Sequence, residues 1–318
     1  QSAGAEPGPM AYGKGGEQVT TTDANLWLGR INKDYFCGGE VQADTVAVKR
    51  GMEALASSLG VSADEAARGI VRVANNNMIN ALKLISINRG YDVREFTLLA
   101  FGGGGAMHAV ALAQELGVKK VVVPSAASVF SAWGMLMCDL RRDFFLTKLV
   151  EMGPDAPHVI AHELADIEKG ALDTFAREGI NADTISFQRF GKFRYQNQEH
   201  TTEVLLPAGR IEAGSIEAII ENFHETYERE YTYRLAAPVE LVGLHVVATS
   251  AVGKLQLEAQ PLRGADISSA VKGQRAVDFA LEGVHEATVL DASKLRPGMR
   301  CSGPAIVEDE GTTTVVHE

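Results

Sequence analysis

FTLLAFGGGGAMHAVALAQELGVKKVVVPSAASVFSAWG, residues 96–134, decides how the rest of the chain is read. An apolar run, Phe96 to Phe101, breaks into four consecutive glycines, Gly102 to Gly105. These open onto Ala106 to Leu116, where apolar residues recur at helical spacing. Gly117 stands where a helix needs a residue with positive φ to stop it, and Val118 to Val123 is a β-branched run that ends at Pro124. The stretch reads as strand, glycine turn, helix, strand. Glycines at such a turn have two uses: the bare backbone can approach a ligand and aim N–H groups at phosphate or adenine, or it can let a helix pack tightly on a strand. The run departs from the dinucleotide fingerprint G-x-G-x-x-G, because Met107 takes the last glycine's place, and no G-x-x-x-x-G-K-[ST] occurs. Pro124 and Ser125 stand where a dinucleotide binder carries an acidic residue after its second strand.

Upstream, residues 2–16, SAGAEPGPMAYGKGG, form a Gly/Pro-rich constrained loop of a kind that can line a site. Thr22 or Asp23 suits the N-cap of a short helix over Ala24 to Arg30. Asp44 to Leu59 has a helical period closed by Gly60, and Ser62 with Glu65 makes a capping box for a long helix whose apolar residues recur as far as Ile85 and which ends at Arg89 and Gly90. Asn75, Asn76, Asn77 and Asn80 are odd within it. Three in a row cover most of the circumference, so one should face inward and need a partner, either a neighbouring element or a polar ligand.

Downstream, Ala126 to Cys138 reads as a helix and Phe144 to Val150 as a strand, with Asp139, Arg141, Arg142 and Asp143 between them as a solvated turn. Ala156 to Arg177 is an amphipathic helix closed by Gly179. From Ile185 the texture changes to alternating runs at 185–195, 202–206, 239–252, 275–281, 287–290 and 312–316, with one helix at Ile216 to Tyr227. An α/β part followed by an antiparallel, β-rich α+β part results, with a boundary near 150 or 185 on texture and the domains drawn as 1–150 and 151–318.

The chain's 318 residues, 46% hydrophobic and 22% charged, leave room for two ordinary cores. A net charge of -11 with scattered Lys and Arg argues against a nucleic-acid partner. No apolar run reaches membrane length and residues 1–10 lack the features of a signal peptide, so no membrane partner and a cytoplasmic location are expected. Cys37, Cys138 and Cys301 have neither disulfide-framework nor zinc spacing and read as reduced thiols, mostly buried. The start at Gln1, inside a Gly/Pro-rich loop, suggests a segment of a longer polypeptide or a processed chain. No G-x-S-x-G or Cys-His arrangement marks a self-contained hydrolase, and no catalytic residue is assigned. His200, beside Gln196 to Glu199, has too few neighbours for a metal site; His224, His245 and His285 stand alone on their elements and read as packing or surface residues.

Several stretches together resemble the hydantoinase A, 5-oxoprolinase and acetone carboxylase beta-subunit family. They are SAGAEPGPMAYGKGG with TDANLWLGR, RGYDVREFTLLAFGGGGAMHA, SVFSAWGMLMCDLRRD, FRYQNQEH, the run around YEREYTYR, and GPAIVEDEGTTTVV, in this order over nearly the whole chain. The resemblance implies the C-terminal half of such a subunit: part of an ATPase lobe of the actin, sugar-kinase and heat-shock-cognate (ribonuclease H-like) type, then the β-rich module. Gly102, Gly103, Gly104 and Gly105 would form the adenosine-side motif, with Met107 and His108 at the start of the next helix. Asp23 and Asn25 of the TDAN segment would reach the cleft through water, against the plainer reading of helix capping. The implied cofactors are ATP and Mg. Such enzymes activate a lactam or cyclic imide carbonyl before hydrolysis, or a ketone enolate before carboxylation, and finish the chemistry with a hydantoinase B-type subunit or domain.

Departures shape the expectation. No D-x-G-G-T is present, so the groups that hold metal and phosphates are expected in a missing N-terminal half, leaving this chain one wall of the cleft and no metal ligand of its own. Where the family has GGAGPLHA, Gly105 and Ala106 make a more flexible turn. The tripled asparagine, the four-glycine turn and SAWG lean toward the ketone carboxylase branch. At the head of a helix a protonated His108 is disfavoured, which suits a neutral hydrogen-bonding role. The expected protein is a hetero-oligomeric, ATP-dependent hydantoinase/5-oxoprolinase-type amidohydrolase or ketone carboxylase subunit, incomplete alone, acting on a small molecule. A non-catalytic assembly module is the alternative of another class.

Overall fold

Glycine stops and capped, periodic runs become the helices of the structure, a computed structural model that describes residues 3–254 and 258–317, apart from the side chain of Cys37. In chain order the elements are α1 (Thr21–Trp27), α2 (Thr45–Leu59), α3 (Ala63–Ile85), β1 (Leu98–Leu99), α4 (Gly105–Leu116), β2 (Val121–Val122), α5 (Phe130–Met137), β3 (Leu140–Glu151) and α6 (Ala156–Arg177). Then follow β4 (Ile185–Tyr195), β5 (Thr202–Leu205), α7 (Ala213–Tyr231), β6 (Val239–Ser250), β7 (Val271–Asp278), β8 (Val284–Asp291), β9 (Ala305–Glu308) and β10 (Thr313–Val316). Two compact units result: Gln1–Met135 with Leu257–Glu318, and Leu136–Gln256.

In the first unit the β-α-β reading holds. β1 and β2 pair in parallel, Leu98 opposite Val121 and Leu99 opposite Val122, and α4 crosses between them. Gly117 ends α4 at φ +71, its N–H reaching the carbonyls of Ala113 and Gln114. Ser62 and Glu65 cap α3 reciprocally. Met10, Ala24, Leu26, Val48, Met52 and Val71 share one core with Val277, Ile306 and Val315 of the C-terminal strands. That shared core, with hydrogen bonds from Arg30 Nε to the Asp278 carbonyl (2.9 Å) and from Arg275 Nε to the Gly29 carbonyl (2.9 Å), is why the last segment closes on the first helices. The first compact unit is thus discontinuous in sequence, with the second lying between its two segments along the chain. The strands there form a sheet of order β10-β9-β8-β7, parallel between β8 and β9 and antiparallel otherwise, with β10 lying along α4. β9 is too short to read as an alternating run, and the strand expected to reach Leu281 stops at Asp278 because Ala280 takes a positive φ.

The second unit is an antiparallel sheet of order β3-β6-β4-β5 with α6 and α7 packed on it around Ile160, Phe193, Tyr195, Phe223, Tyr227, Leu241 and Val246. Gly243 is dictated by packing, since a Cβ there would sit 2.7 Å from the Leu146 carbonyl oxygen on β3. Arg141, Arg142 and Asp143 lie within edge strand β3 and not in a solvated turn; charged side chains are a usual covering of a sheet edge. Asp143 accepts from Arg141 (2.7 Å) and meets His245 Nε2 at 2.8 Å, and these two partners, Arg141 first, hold its carboxyl down at about 2. His245 is therefore not isolated: Glu203 meets its Nδ1 at 3.2 Å, and Phe145 and Phe190 stack on the ring. His224 has the hydroxyl of Tyr195 at 2.7 Å from Nδ1, and His285 has the Glu282 carbonyl at 2.6 Å from Nε2. His200 is exposed and stacks on Tyr231. Cys138 and Cys301 are free and exposed rather than buried. Among the described residues no helix is long and apolar enough to cross a membrane.

Candidate functional site

The glycine turn heads α4. Gly102 has φ +84, a region that admits glycine readily, and its N–H donates to the Ala127 carbonyl at 2.7 Å. The next three glycines differ. A Cβ on Gly103 would meet only the Gly311 carbonyl oxygen at 3.5 Å, on Gly104 nothing within 4 Å, and on Gly105 only the Ala100 carbonyl carbon at 4.0 Å. Tight packing therefore accounts for none of them. They border open space in front of a helix N-terminus that lacks a side-chain cap and has no acidic residue in its first turn. Among the described residues no backbone carbonyl takes up the N–H groups of Gly103 and Gly104. Unmatched N–H groups at the positive end of a helix favour a negative or electron-rich ligand.

The turn is held from far along the chain. The hydroxyl of Thr312 lies 3.3 Å from the carbonyl of Gly102 and 3.1 Å from that of Gly103, fixing the turn's backbone. Nothing in the sequence pairs residues 210 positions apart; the motif GTTTVV marked only a strand.

Met107 and His108 follow on α4, both buried. Met107 belongs to the core shared with α1 to α3. His108 Nδ1 lies 2.8 Å from Oδ1 of Asn75 on α3, which identifies the inward-facing asparagine; Asn76, Asn77 and Asn80 are exposed. Burial, then the nearby Arg30 cation, pushes the imidazole down to about 4, so it is neutral at pH 7. Since the unfolded chain titrates near 6.5 and the folded one near 4, the unfolded state binds more protons between them, and stability falls as pH drops through that window. His108→Gln should flatten this loss by up to about 3 kcal/mol at pH 4 relative to pH 7, read from urea unfolding at both pH values.

Asp23 and Asn25 sit together on α1. The N-cap is Thr20, not Thr22 or Asp23, and Asp23 is the third helical residue of a capping box. Its buried carboxylate accepts from the N–H groups of Met10 (3.3 Å), Ala11 (2.8 Å) and Thr20 (2.7 Å) and from the Thr20 hydroxyl (2.7 Å). It ties the Gly/Pro-rich loop to α1. Asn25 donates from Nδ2 to the Thr21 carbonyl at 3.0 Å, while its Oδ1 is buried without a partner. No hydrogen bond joins either side chain to the glycine turn among the described residues. Among the same residues no group of three or more His, Cys, Asp or Glu is placed to hold a metal.

The chain thus joins a parallel β-α-β unit, with an open glycine cradle at an uncapped helix, to an antiparallel α+β unit. The chain belongs to the hydantoinase/oxoprolinase family: the family's model matches residues 1–144, and that of the hydantoinase/oxoprolinase C-terminal domain matches 153–318. This agrees with the resemblance carried by the motifs. The chain is 31% identical over 325 residues to the caprolactamase subunit alpha of Pseudomonas jessenii, spanning 99% of this chain and 46% of the relative. A crystal structure of the ATP-dependent caprolactamase from Pseudomonas jessenii superposes with a TM-score of 0.78 at 30% identity, over 100% of this chain and 47% of that one. A nucleotide-free acetone carboxylase, from work on ATP-dependent acetone carboxylation, does so at 0.86 with 26% identity, over 98% and 46%. The chain thus spans about half the length of the relatives it matches.

Proposed function

We propose that this chain supplies the adenosine-side wall of an ATP site in a hydantoinase/oxoprolinase-type enzyme, which uses ATP with Mg to phosphorylate and so activate a cyclic amide carbonyl or a ketone enolate. The open cradle at Gly103 to Gly105 carries the reading: three positions where a Cβ would meet at most one backbone atom, at 3.5 Å or more, before an uncapped helix N-terminus, suit close approach by a nucleotide. The α/β unit is then part of an actin, sugar-kinase and heat-shock-cognate type lobe. Groups that hold metal and phosphates belong to the length that this chain does not span, and a hydantoinase B-type partner completes hydrolysis or carboxylation in a cytoplasmic complex. Two structural relatives described as ATP-dependent support the use of ATP. TM-score favours acetone carboxylase and identity favours caprolactamase, so the proposal rests on their shared chemistry. In the reaction proposed for this family a poorly reactive substrate oxygen would take the γ-phosphoryl group of ATP, with ADP leaving.

Calorimetry with Mg-ATP, on the chain alone and then with an N-terminal half supplied, tests this. Binding only after complementation is the expected result. Tight binding by the chain alone would make it a complete nucleotide site, and no binding in either case would leave an assembly module as the better account.

A further inference from the structure

The amide of Asn75 does more than fill a gap in α3. Its Oδ1 has no hydrogen to give, so the 2.8 Å contact requires the proton of the neutral imidazole to be on Nδ1 of His108. Nε2 is then a bare acceptor. No hydrogen bond engages it among the described residues. On a residue 8% exposed, Nε2 of His108 is thus without a hydrogen bond among the described residues, as Asn25 Oδ1 and His317 Nε2 are.

Its place in the fold bears on what it meets. An apolar groove of about 310 Å³ runs between α3, β1 and α4, lined by Met78, Leu82, Phe101, Gly105, Ala109 and Leu112 among others. Asn75 lies one turn before Met78 on α3, and His108 lies one turn after Gly105 and one turn before Leu112 on α4, so the pair stands beside the glycine-turn end of this groove. Resting on the nucleotide reading above, we propose that Asn75 is a positioning residue that holds His108 in its Nδ1–H form, and that Nε2 accepts a hydrogen bond from a donor of the nucleoside. An acceptor nitrogen gains nothing from an ionised phosphate, which offers no hydrogen; it selects a ribose hydroxyl or the 6-amino group of adenine. Arg30, the charged neighbour acting on the ring, reinforces the neutral state.

Two measurements test this. The first needs no variant. Two-bond ¹H–¹⁵N correlation spectra of the chain, with His108 assigned by its loss in His108→Gln, should show an Nδ1–H ring at pH 7; in Asn75→Ala the two tautomers should mix. An Nε2–H ring or an imidazolium in the wild type overturns the proposal. The second compares ATP, inosine triphosphate, and 2′- and 3′-deoxy-ATP by calorimetry on the complemented protein. The wild type should disfavour whichever analogue lacks the donor by about tenfold, a usual worth of one hydrogen bond. Asn75→Ala and His108→Gln should erase that preference, with inosine triphosphate reporting the amino group and the deoxy analogues the hydroxyls. Wild-type binding without discrimination, or discrimination that survives both substitutions, sinks this proposal alone. Absence of all nucleotide binding removes the nucleotide reading, and this assignment with it.

Discussion

Gly104→Leu is expected to leave the protein folded and to weaken Mg-ATP binding at least a hundredfold, a loss of about 2.7 kcal/mol. Both halves of this expectation follow from the turn. Gly104 has φ −108 and ψ −11, which any L residue adopts, and a Cβ there meets nothing within 4 Å. The fold loses only the preference for glycine over leucine at an N-cap, about 1 kcal/mol, which lowers the melting temperature by about 2–4 °C. A bound nucleotide would instead meet a four-carbon side chain where the backbone must be approached. Gly102→Leu is the contrasting variant, since φ +84 makes the substitution strained whether or not a ligand binds. Melting curves of both variants, and calorimetry on each with the N-terminal half supplied, separate the two kinds of glycine. Unchanged affinity in a folded Gly104→Leu protein would mean that the cradle faces no nucleotide.

What could be read from the sequence was local. Gly117, Gly60 and the Ser62–Glu65 box act within a few residues of themselves, so the boundaries of α2 and α4 and the start of α3 follow from the sequence, whereas α3 ends at Ile85 and the expected stop at Arg89 and Gly90 closes a separate 3-10 turn, Ile87–Arg89. The strand, glycine turn and helix were legible for the same reason. Resemblance then added what periodicity could not, the family.

The remaining features depend on partners distant in sequence. A run of asparagines announces that one must turn inward, but only the packing of α4 on α3 selects Asn75 and gives it His108. Charges on β3 looked like a turn because an edge strand exposed to water loses the apolar alternation by which strands are recognised. The closing of β7 to β10 on α1 to α3 was hidden as well, since Val277, Ile306 and Val315 show that they are buried but not against what. Thr312 is the sharpest case, a threonine among threonines until its hydroxyl is seen between two glycine carbonyls.

Asp23 shows how a conspicuous motif residue can be fully occupied by structure. Its carboxylate faces three backbone N–H groups and one hydroxyl, and the side chain is wholly buried. Asp23→Ala would leave those donors without a partner and free the loop around Met10 and Ala11 from α1; the expected loss is about 3 kcal/mol of stability. Asp23→Asn should recover less than half of it, because an amide offers one acceptor oxygen and turns two hydrogens toward groups that themselves donate. Asn25→Ala is the internal comparison on the same helix. Its Oδ1 already lacks a partner and only the bond from Nδ2 to the Thr21 carbonyl is given up, so a loss of about 1 kcal/mol or less is expected in the ligand-free protein. Urea unfolding of the three variants orders them directly. If Asp23→Ala proved as mild as Asn25→Ala while abolishing Mg-ATP binding in the complemented protein, the carboxylate would belong to the cleft and not to the scaffold.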